Sequence, residues 1–474
     1  MPPPKERTSI KVQSERAVLA AVRLPESNFD QRDPFGELAA LAEQAGALVV
    51  GTLDQQLDKP NPGTYIGTGK LRELKALCEE LKASIVIFDH DLSPRQIGKI
   101  EQAIERKVID RSELILDIFA SRATTVEAQL QVEMAQLEYT YPRLKAMWSH
   151  LERLVGSGGI GGIGTRGPGE QQLEIDRRLA QAKKVVLRRR LEEIQERKSR
   201  LVAERNVSHF TVGIVGYTNA GKSTLFNTLT KGGAYADDRL FATLVTRTRE
   251  WDVGGGLRVM LSDTVGFVRD LPHNLVASFK ATLEEATHAN LLLIVLDVSD
   301  PAAEMHYATV CKTLDELFEE VRKTEHTGSR KRGVSDNPEY EPPPRLLLLN
   351  KADKLKDNRQ LLIWQRKVPG CIALCAKDEG GLGQKELIDI VRSGAQGGVE
   401  DLKVVVDLTD SRTIDTLEKR AKVLSRDYDD GHVTMKIQIG RRQLDQLRAL
   451  GAKMSIVGEE VKSGGWRVRG RREE

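Results

Sequence analysis

One stretch limits what this chain can fold into more than any other: H-F-T-V-G-I-V-G-Y-T-N-A-G-K-S-T-L-F-N-T-L, residues 209–229. A β-branched and apolar run leads into G-x-x-x-x-G-K-S, and an alternation suited to a helix follows. Strand, glycine loop and helix in that order form a P-loop in its required context. The strand needs a sheet and the helix must cover it, so an α/β fold is implied. The loop backbone of Gly216, Tyr217, Thr218, Asn219, Ala220 and Gly221 can curl around phosphates, and the helix N-terminus adds positive potential. Lys222 is expected to reach the β- and γ-phosphates and Ser223 to bind Mg²⁺ through its hydroxyl, with Thr224 completing the set.

Further motifs follow in the order a nucleotide site requires. V-M-L-S-D-T-V-G places Asp263 at a strand end, where its carboxylate can hold the water shell of Mg²⁺. Thr264, Val265 and then Gly266 follow, the last with a backbone N–H placed to sense a γ-phosphate. L-L-L-L-N-K-A-D sets Asn350, Lys351, Ala352 and Asp353 at the end of another strand. A carboxylate at Asp353 accepts the N1–H and exocyclic N–H of guanine; adenine, an acceptor at N1 with no amine beside it, would leave that carboxylate unpaired. Cys375, Ala376 and Lys377 form C-A-K, the guanine loop S-A-K with cysteine for serine. Between the P-loop helix and the next strand lie Phe241, Ala242, Thr243, Leu244 and Val245, where a first switch belongs. Thr243 is expected to be the second Mg²⁺ ligand, with Thr246 and Thr248 as competitors. Lys222, Thr243 and Gly266 are thus the residues expected to act at the γ-phosphate. Phe267 stands where Ras-like GTPases carry a water-orienting glutamine, so intrinsic hydrolysis should be slow and completed by a partner or a metal ion. Asn219 offers a side-chain oxygen that could hold K⁺ against the phosphates, or it shapes the loop.

The remainder of the 474 residues needs several cores. From Glu15 to Ala120 the apolar runs A-V-L-A-A-V-R-L, A-L-V-V-G-T-L and I-V-I-F-D alternate with helical patterns around Leu38, Leu71 and Ile97, implying a parallel sheet. Val126–Leu137 and Leu173–Leu201 read as long helices, the second with an apolar seam at Leu173, Leu179, Val186 and Ile194. The expected organisation is α/β throughout. An N-terminal parallel α/β domain covers 1–122, and a helical hairpin arm with a glycine-rich loop at 156–170 covers 123–206. A Ras-like P-loop G domain covers 207–398 and carries a disordered, Pro/Gly-rich insertion at 324–344. A small C-terminal α/β domain covers 399–474: strand Val404–Leu408, helix Ile414–Leu424, strand Val433–Ile439, then a basic tail. Net charge is only +3, so any nucleic-acid surface must be local, such as the cluster containing Arg188, Arg189 and Arg190. Four scattered cysteines form no C-x-x-C pair, and neither a signal peptide nor a membrane span is legible, so the expected location is the cytoplasm. G-T-G-K at Gly67–Lys70 lacks P-loop spacing and reads as a structural turn.

Together G-Y-T-N-A-G-K-S-T, L-F-A-T-L, D-T-V-G-F and N-K-A-D, with the arm motif G-G-I-G-T-R-G-P-G-E (Gly161–Glu170) and P-N-P-G-T-Y-I-G-T-G-K (Pro60–Lys70), resemble the HflX family of ribosome-associated GTPases. The arm motif is the most family-specific part. Val245 departs from the aspartate usual after F-A-T-L, and Gln171 from the threonine usual after the arm's G-E. The chain is expected to act as a monomer, and the resemblance implies GTP hydrolysis to GDP with Mg²⁺ and docking on the large ribosomal subunit. It also implies insertion of the arm toward ribosomal RNA near the peptidyl-transferase centre, and splitting of stalled or idle ribosomes in the GTP state. Action on another RNA (tRNA or ribosome assembly), which does not explain the glycine-rich arm, or service as a slow nucleotide-switched scaffold, are the alternatives.

Overall fold

A computed structural model describes residues 15–25, 33–139, 141, 168–232, 246–269, 285–332, 340–397, 399–429, 431–440, 444, 447 and 454–457. The chain divides into two compact units, residues 1–192 with 270–279, and 193–269 with 280–474.

The first unit contains a four-stranded sheet ordered β2-β1-β3-β4, from β1 (Arg16–Arg23), β2 (Leu48–Gln56), β3 (Ile85–Phe88) and β4 (Lys107–Asp110). Every pair is parallel. Six consecutive residues of β1 are buried, as expected of a parallel strand covered on both faces. The helices are α1 (Gly36–Gln44), α2 (Thr68–Glu80), α3 (Pro94–Ile104) and α4 (Arg111–Arg122). Helix α3 starts where local chemistry dictates: Ser93 accepts from the Gln96 amide, Gln96 reciprocates, and Pro94 occupies the first turn. Thr68, Gly69 and Lys70 open α2, so G-T-G-K is a helix start. Strand β4 escaped the sequence reading because K-V-I-D is too short to show a period.

The arm consists of helix α5 (126–139) and the 41-residue helix α6 (Pro168–Ser208). Helix α6 begins inside the segment expected to be glycine-rich loop. Pro168, with φ already set for a helix and no N–H to satisfy, starts it, so residues 168–170 are helical. The expected apolar seam is corrected at two positions: Leu179 and Val186 are exposed, while Leu187 and Leu191, four apart, are buried. Ile194 is half-buried, and the side chain of Leu173 lies outside the described residues. Lys183 pairs with Glu133 at 2.6 Å and Lys184 with Glu138 at 2.6 Å. The remainder of the glycine-rich loop, with Arg166, lies outside the described residues.

The second unit holds a six-stranded sheet, β10-β9-β8-β5-β7-β6. Its strands are β5 (Thr211–Gly216), β6 (Arg247–Asp252), β7 (Arg258–Asp263), β8 (Leu291–Asp297), β9 (Arg345–Asn350) and β10 (Ile372–Ala373). Only β6 runs antiparallel, against β7. Helices α7 (Lys222–Thr230), α8 (Ala303–Arg332), α9 (Arg359–Lys367) and α10 (Gln384–Gln396) accompany it. Val212, Ile214, Phe226, Leu293, Leu348 and Val391 share its core. Helix α8 overturns part of the expected insertion, since residues 324–332 continue it. Val310, Leu314, Leu317 and Phe318 are buried, and a helix so anchored propagates by adding one bond per residue. The single Gly328 costs only about 1 kcal/mol against alanine. Residues 333–339 lie outside the described residues.

The same unit contains a four-stranded antiparallel sheet ordered β12-β13-β11-β14 with helix α11 (Ser411–Arg420). The strands are β11 (Val399–Asp407), β12 (Lys422–Asp429), β13 (His432–Gly440) and β14 (Ser455–Val457). The helix expected over 414–424 stops at Arg420, and Leu424 belongs to β12. Gly431, at φ 83°, makes the hairpin turn into β13 and so recruits the preceding residues as a strand. The basic tail is outside the described residues.

Candidate functional site

Strand β5 ends at Gly216, and α7 begins at Lys222 after a five-residue loop whose backbone is forced by its surroundings. Gly221 adopts φ 94°, and a Cβ there would lie 2.2 Å from Asn350 Nδ2, so no other residue fits. Asn219 takes φ 60°, a region asparagine tolerates. Its side chain is exposed.

Inside this loop Lys222 is buried, and Nζ donates to the Tyr217 carbonyl at 2.7 Å. Burial lowers its pKa to about 8, opposed by the nearby Asp263 carboxylate. A buried ammonium held this way gains from any anion brought to the loop. Ser223 Oγ donates to Asp263 Oδ2 at 2.8 Å, joining the start of α7 to the end of β7. A hydroxyl and a carboxylate at that spacing are hard oxygen donors of the kind Mg²⁺ selects. Thr264 turns inward, its hydroxyl donating to the Ile214 carbonyl at 2.7 Å. Gly266 passes so close to the loop that a Cβ would lie 2.9 Å from Lys222 Nζ.

After Gly266 the chain stays on the P-loop. Phe267 N–H donates to Gly216 O at 3.0 Å, and Thr218 N–H donates to Phe267 O at 2.8 Å. The Phe267 ring is buried, consistent with a side chain that orders no water.

The N-K-A-D segment leaves the end of β9, next to β8. Asn350 is buried and acts as a brace. Its Nδ2 donates to Ala220 O at 2.7 Å, and its Oδ1 accepts from the Ala376 amide at 3.0 Å. One amide therefore ties the P-loop to the C-A-K loop. Lys351 Nζ donates to Asn219 O at 2.9 Å and pairs with Asp297 at 2.6 Å. Asp353 sits exposed on a single 3-10 turn, Ala352–Lys354. The Cys375 thiol lies against Asp378 at 3.4 Å, its pKa raised by burial first and by the Asp353 and Asp378 carboxylates as well. Gln384 and Thr228 fasten the loop, donating to the carbonyls of Cys375 (3.4 Å) and Ala376 (2.7 Å).

The expected groups at Gly216–Thr224, Asp263–Gly266, Asn350–Asp353 and Cys375–Lys377 thus gather on one sheet edge. Phe241–Val245, including Thr243, lie outside the described residues. Of its two competitors, Thr248 is engaged elsewhere: on β6 it faces Ser262 at 3.0 Å and donates to Glu285 at 2.8 Å. Thr246 Oγ1 accepts from Lys198 at 3.3 Å. Sequence reasoning missed Asp297, although a carboxylate ending the apolar run L-L-L-I-V-L-D was a legible signal. It also missed the bracing role of Asn350, for which the sequence held none.

Comparison with known proteins gives three consecutive family matches. Residues 32–120 fit a family described as GTP-binding GTPase N-terminal, 122–205 the GTP-binding GTPase middle region, and 211–330 the 50S ribosome-binding GTPase. The GTPase HflX of Caldanaerobacter subterraneus is 38% identical over 440 residues, 92% of this chain and 93% of its own. That of Escherichia coli is 42% identical over 348 residues, 72% of this chain and 74% of its own. That of Lacrimispora saccharolytica is 45% identical over 316 residues, 66% and 73% of the two chains.

Proposed function

The chain belongs to the HflX family of GTPases, and from that premise we propose that it binds the large ribosomal subunit and splits stalled or idle ribosomes in its GTP-bound state. The observation that carries the nucleotide half is the Asn350 brace, which holds the P-loop carbonyl of Ala220 and the C-A-K amide of Ala376 on one side chain. That geometry fixes the distance between a phosphate cradle and a base pocket, so one nucleotide can span both. Support for the ribosomal half is the description of the family matched by residues 211–330, together with the arm region matched at 122–205.

In this reading Gly216–Thr224 wrap the phosphates, Lys222 neutralises the β/γ bridge, and the Gly266 amide meets the γ-phosphate. Asp353 accepts from guanine, with the backbone of Cys375, Ala376 and Lys377 around its carbonyl. Ser223, with Asp263 behind it and Thr243 from the first switch, would hold Mg²⁺, which supplies charge neutralisation between the β- and γ-phosphates. Asn219, exposed at the loop tip, would offer its side-chain oxygen to K⁺. Phe267 orders no water, so the ribosome is the partner that accelerates hydrolysis. The protein acts as a monomer in the cytoplasm, with the glycine-rich arm directed at ribosomal RNA near the peptidyl-transferase centre.

Co-sedimentation tests the reading. With a non-hydrolysable GTP analogue the protein should travel with the large subunit and 70S particles should dissociate; with GDP both effects should fade. Equal sedimentation with both nucleotides would remove the switch, and binding without dissociation would leave a ribosome-bound GTPase of another task.

A further inference from the structure

Tyr217 follows the first glycine of the P-loop, a place where only the backbone has a role in holding phosphate. Its side chain is nevertheless buried and makes two specific contacts. The ring stacks on His306 of α8, with centroids 3.9 Å apart and planes 16° from parallel. The hydroxyl accepts the backbone N–H of Arg269 at 2.9 Å. The Tyr217 carbonyl meanwhile receives Lys222 Nζ at 2.7 Å.

The hydroxyl bond closes a series. Phe267 N–H donates to Gly216 O, Thr218 N–H donates to Phe267 O, and Arg269 N–H donates to Tyr217 Oη. The first two are the backbone bonds of a parallel bridge between Tyr217 and Phe267. The third extends the hold two residues further through a side chain, where the bridge itself has ended. Residues 267–269 are therefore tied to the P-loop at three points, directly after the Gly266 amide. The stack on His306 keeps the ring from rotating away, so the hydroxyl is offered at a fixed place.

We propose that Tyr217 is a positioning residue for GTP hydrolysis: its hydroxyl holds the segment after Gly266 in the register that presents the Gly266 amide to the γ-phosphate. Where a glutamine is absent and Phe267 takes its place, order in this segment has to come from its backbone, and Tyr217 is the side chain that fixes that backbone. The inference rests on the reading of the site given above.

Tyr217→Phe is the test, since it keeps the ring and its stack and removes only the acceptor. Losing the acceptor for a buried amide should slow single-turnover GTP hydrolysis roughly 10-fold. Dissociation of a fluorescent GDP analogue should stay within about twofold, because GDP has no γ-phosphate for Gly266 to meet. Hydrogen exchange at the Arg269 amide should quicken in the same variant. An unchanged hydrolysis rate overturns the proposal, as does unchanged exchange at Arg269. An equal loss in GDP retention and hydrolysis also overturns it, since that would mark a merely structural tyrosine. The wild-type protein measured alongside separates the two levels. If it neither retains GDP nor hydrolyses GTP, the reading of the site is at fault; if it does both and the variant matches it, only the role of Tyr217 falls.

Discussion

The two ends of the candidate nucleotide site are built on different physics. At the phosphate end of the proposed site Lys222 and Asp263 are buried, and the loop backbone would carry the recognition. At the base end Asp353 is exposed on a three-residue turn, and its neighbours are placed by side chains such as Asn350 and Gln384. A phosphate needs charge and many N–H donors at close range, which a sheet edge and a helix start supply together. A base needs one directional contact that can reject its rivals, and a loop carries that if it is tied down. The phosphate end is thus continuous with the core and keeps a buried charge, whereas the base end is mounted on the core by a few hydrogen bonds.

Lys222→Met should break the phosphate end most severely. GTP affinity is expected to fall about 1,000-fold, or roughly 4 kcal/mol, since a charge-assisted contact to two phosphates is removed. The same variant should be more stable than wild type when both are purified without nucleotide. A lysine whose folded pKa is about 8, below its ordinary 10.5, weakens the fold wherever it must be protonated. That penalty is full below pH 8, fades as pH rises from 8 to 10.5, and has gone above it. A shift of that size corresponds to about 3 kcal/mol. Chemical denaturation should therefore show a wild-type deficit at pH 7 that closes toward pH 10.5; a gap that does not change with pH would mean Lys222 sits comfortably charged.

At the base end two substitutions should separate recognition from mounting. Asp353→Asn is expected to weaken GTP by about 2–4 kcal/mol and improve xanthosine triphosphate, with the melting temperature unmoved because the carboxylate is exposed. Asn350→Ala leaves the Ala220 carbonyl and the Ala376 amide without their partner, so stability should drop by about 1–3 kcal/mol and both GDP and GTP should loosen together. Titration calorimetry and thermal melts distinguish the pair; a stability loss in Asp353→Asn would erase the contrast.

The smallest effect concerns the loop tip between the two ends. Replacing Na⁺ by K⁺ at constant ionic strength should raise steady-state hydrolysis a few-fold, roughly 1 kcal/mol in barrier, and Asn219→Ala should abolish the response. Equal rates in the two salts would leave Asn219 as a loop-shaping residue only.

Much of this was legible beforehand, for a reason visible in the particular elements. The P-loop, Asp263 with Gly266, and Asn350 with Asp353 are contiguous strings, and each takes its geometry from its own backbone and the strand or helix that flanks it. Strands β1 and β3 showed because burial on both faces leaves an unbroken apolar run, whereas β2, an edge strand with only Leu53 buried, showed through its β-branched and apolar start. Where local signals were weak, the tertiary structure decided: β4 is four residues long, α8 runs past a polar sequence because its earlier turns are anchored, and β12 was hidden behind a helical composition.

What the sequence by itself determined is therefore the residue chemistry at each point: a glycine loop between strand and helix, a carboxylate after N-K-A, and a phenylalanine after D-T-V-G. Only the tertiary structure decided how those points hold one another. Asn350 meets Ala220 across 130 residues, Lys351 finds Asp297, and Tyr217 reaches both Arg269 and His306. Steric preference and periodicity act between near neighbours in the chain and can be read from it. Contacts of this range exist because β9, β8, β5 and β7 lie side by side, an order set by the packing of the whole sheet.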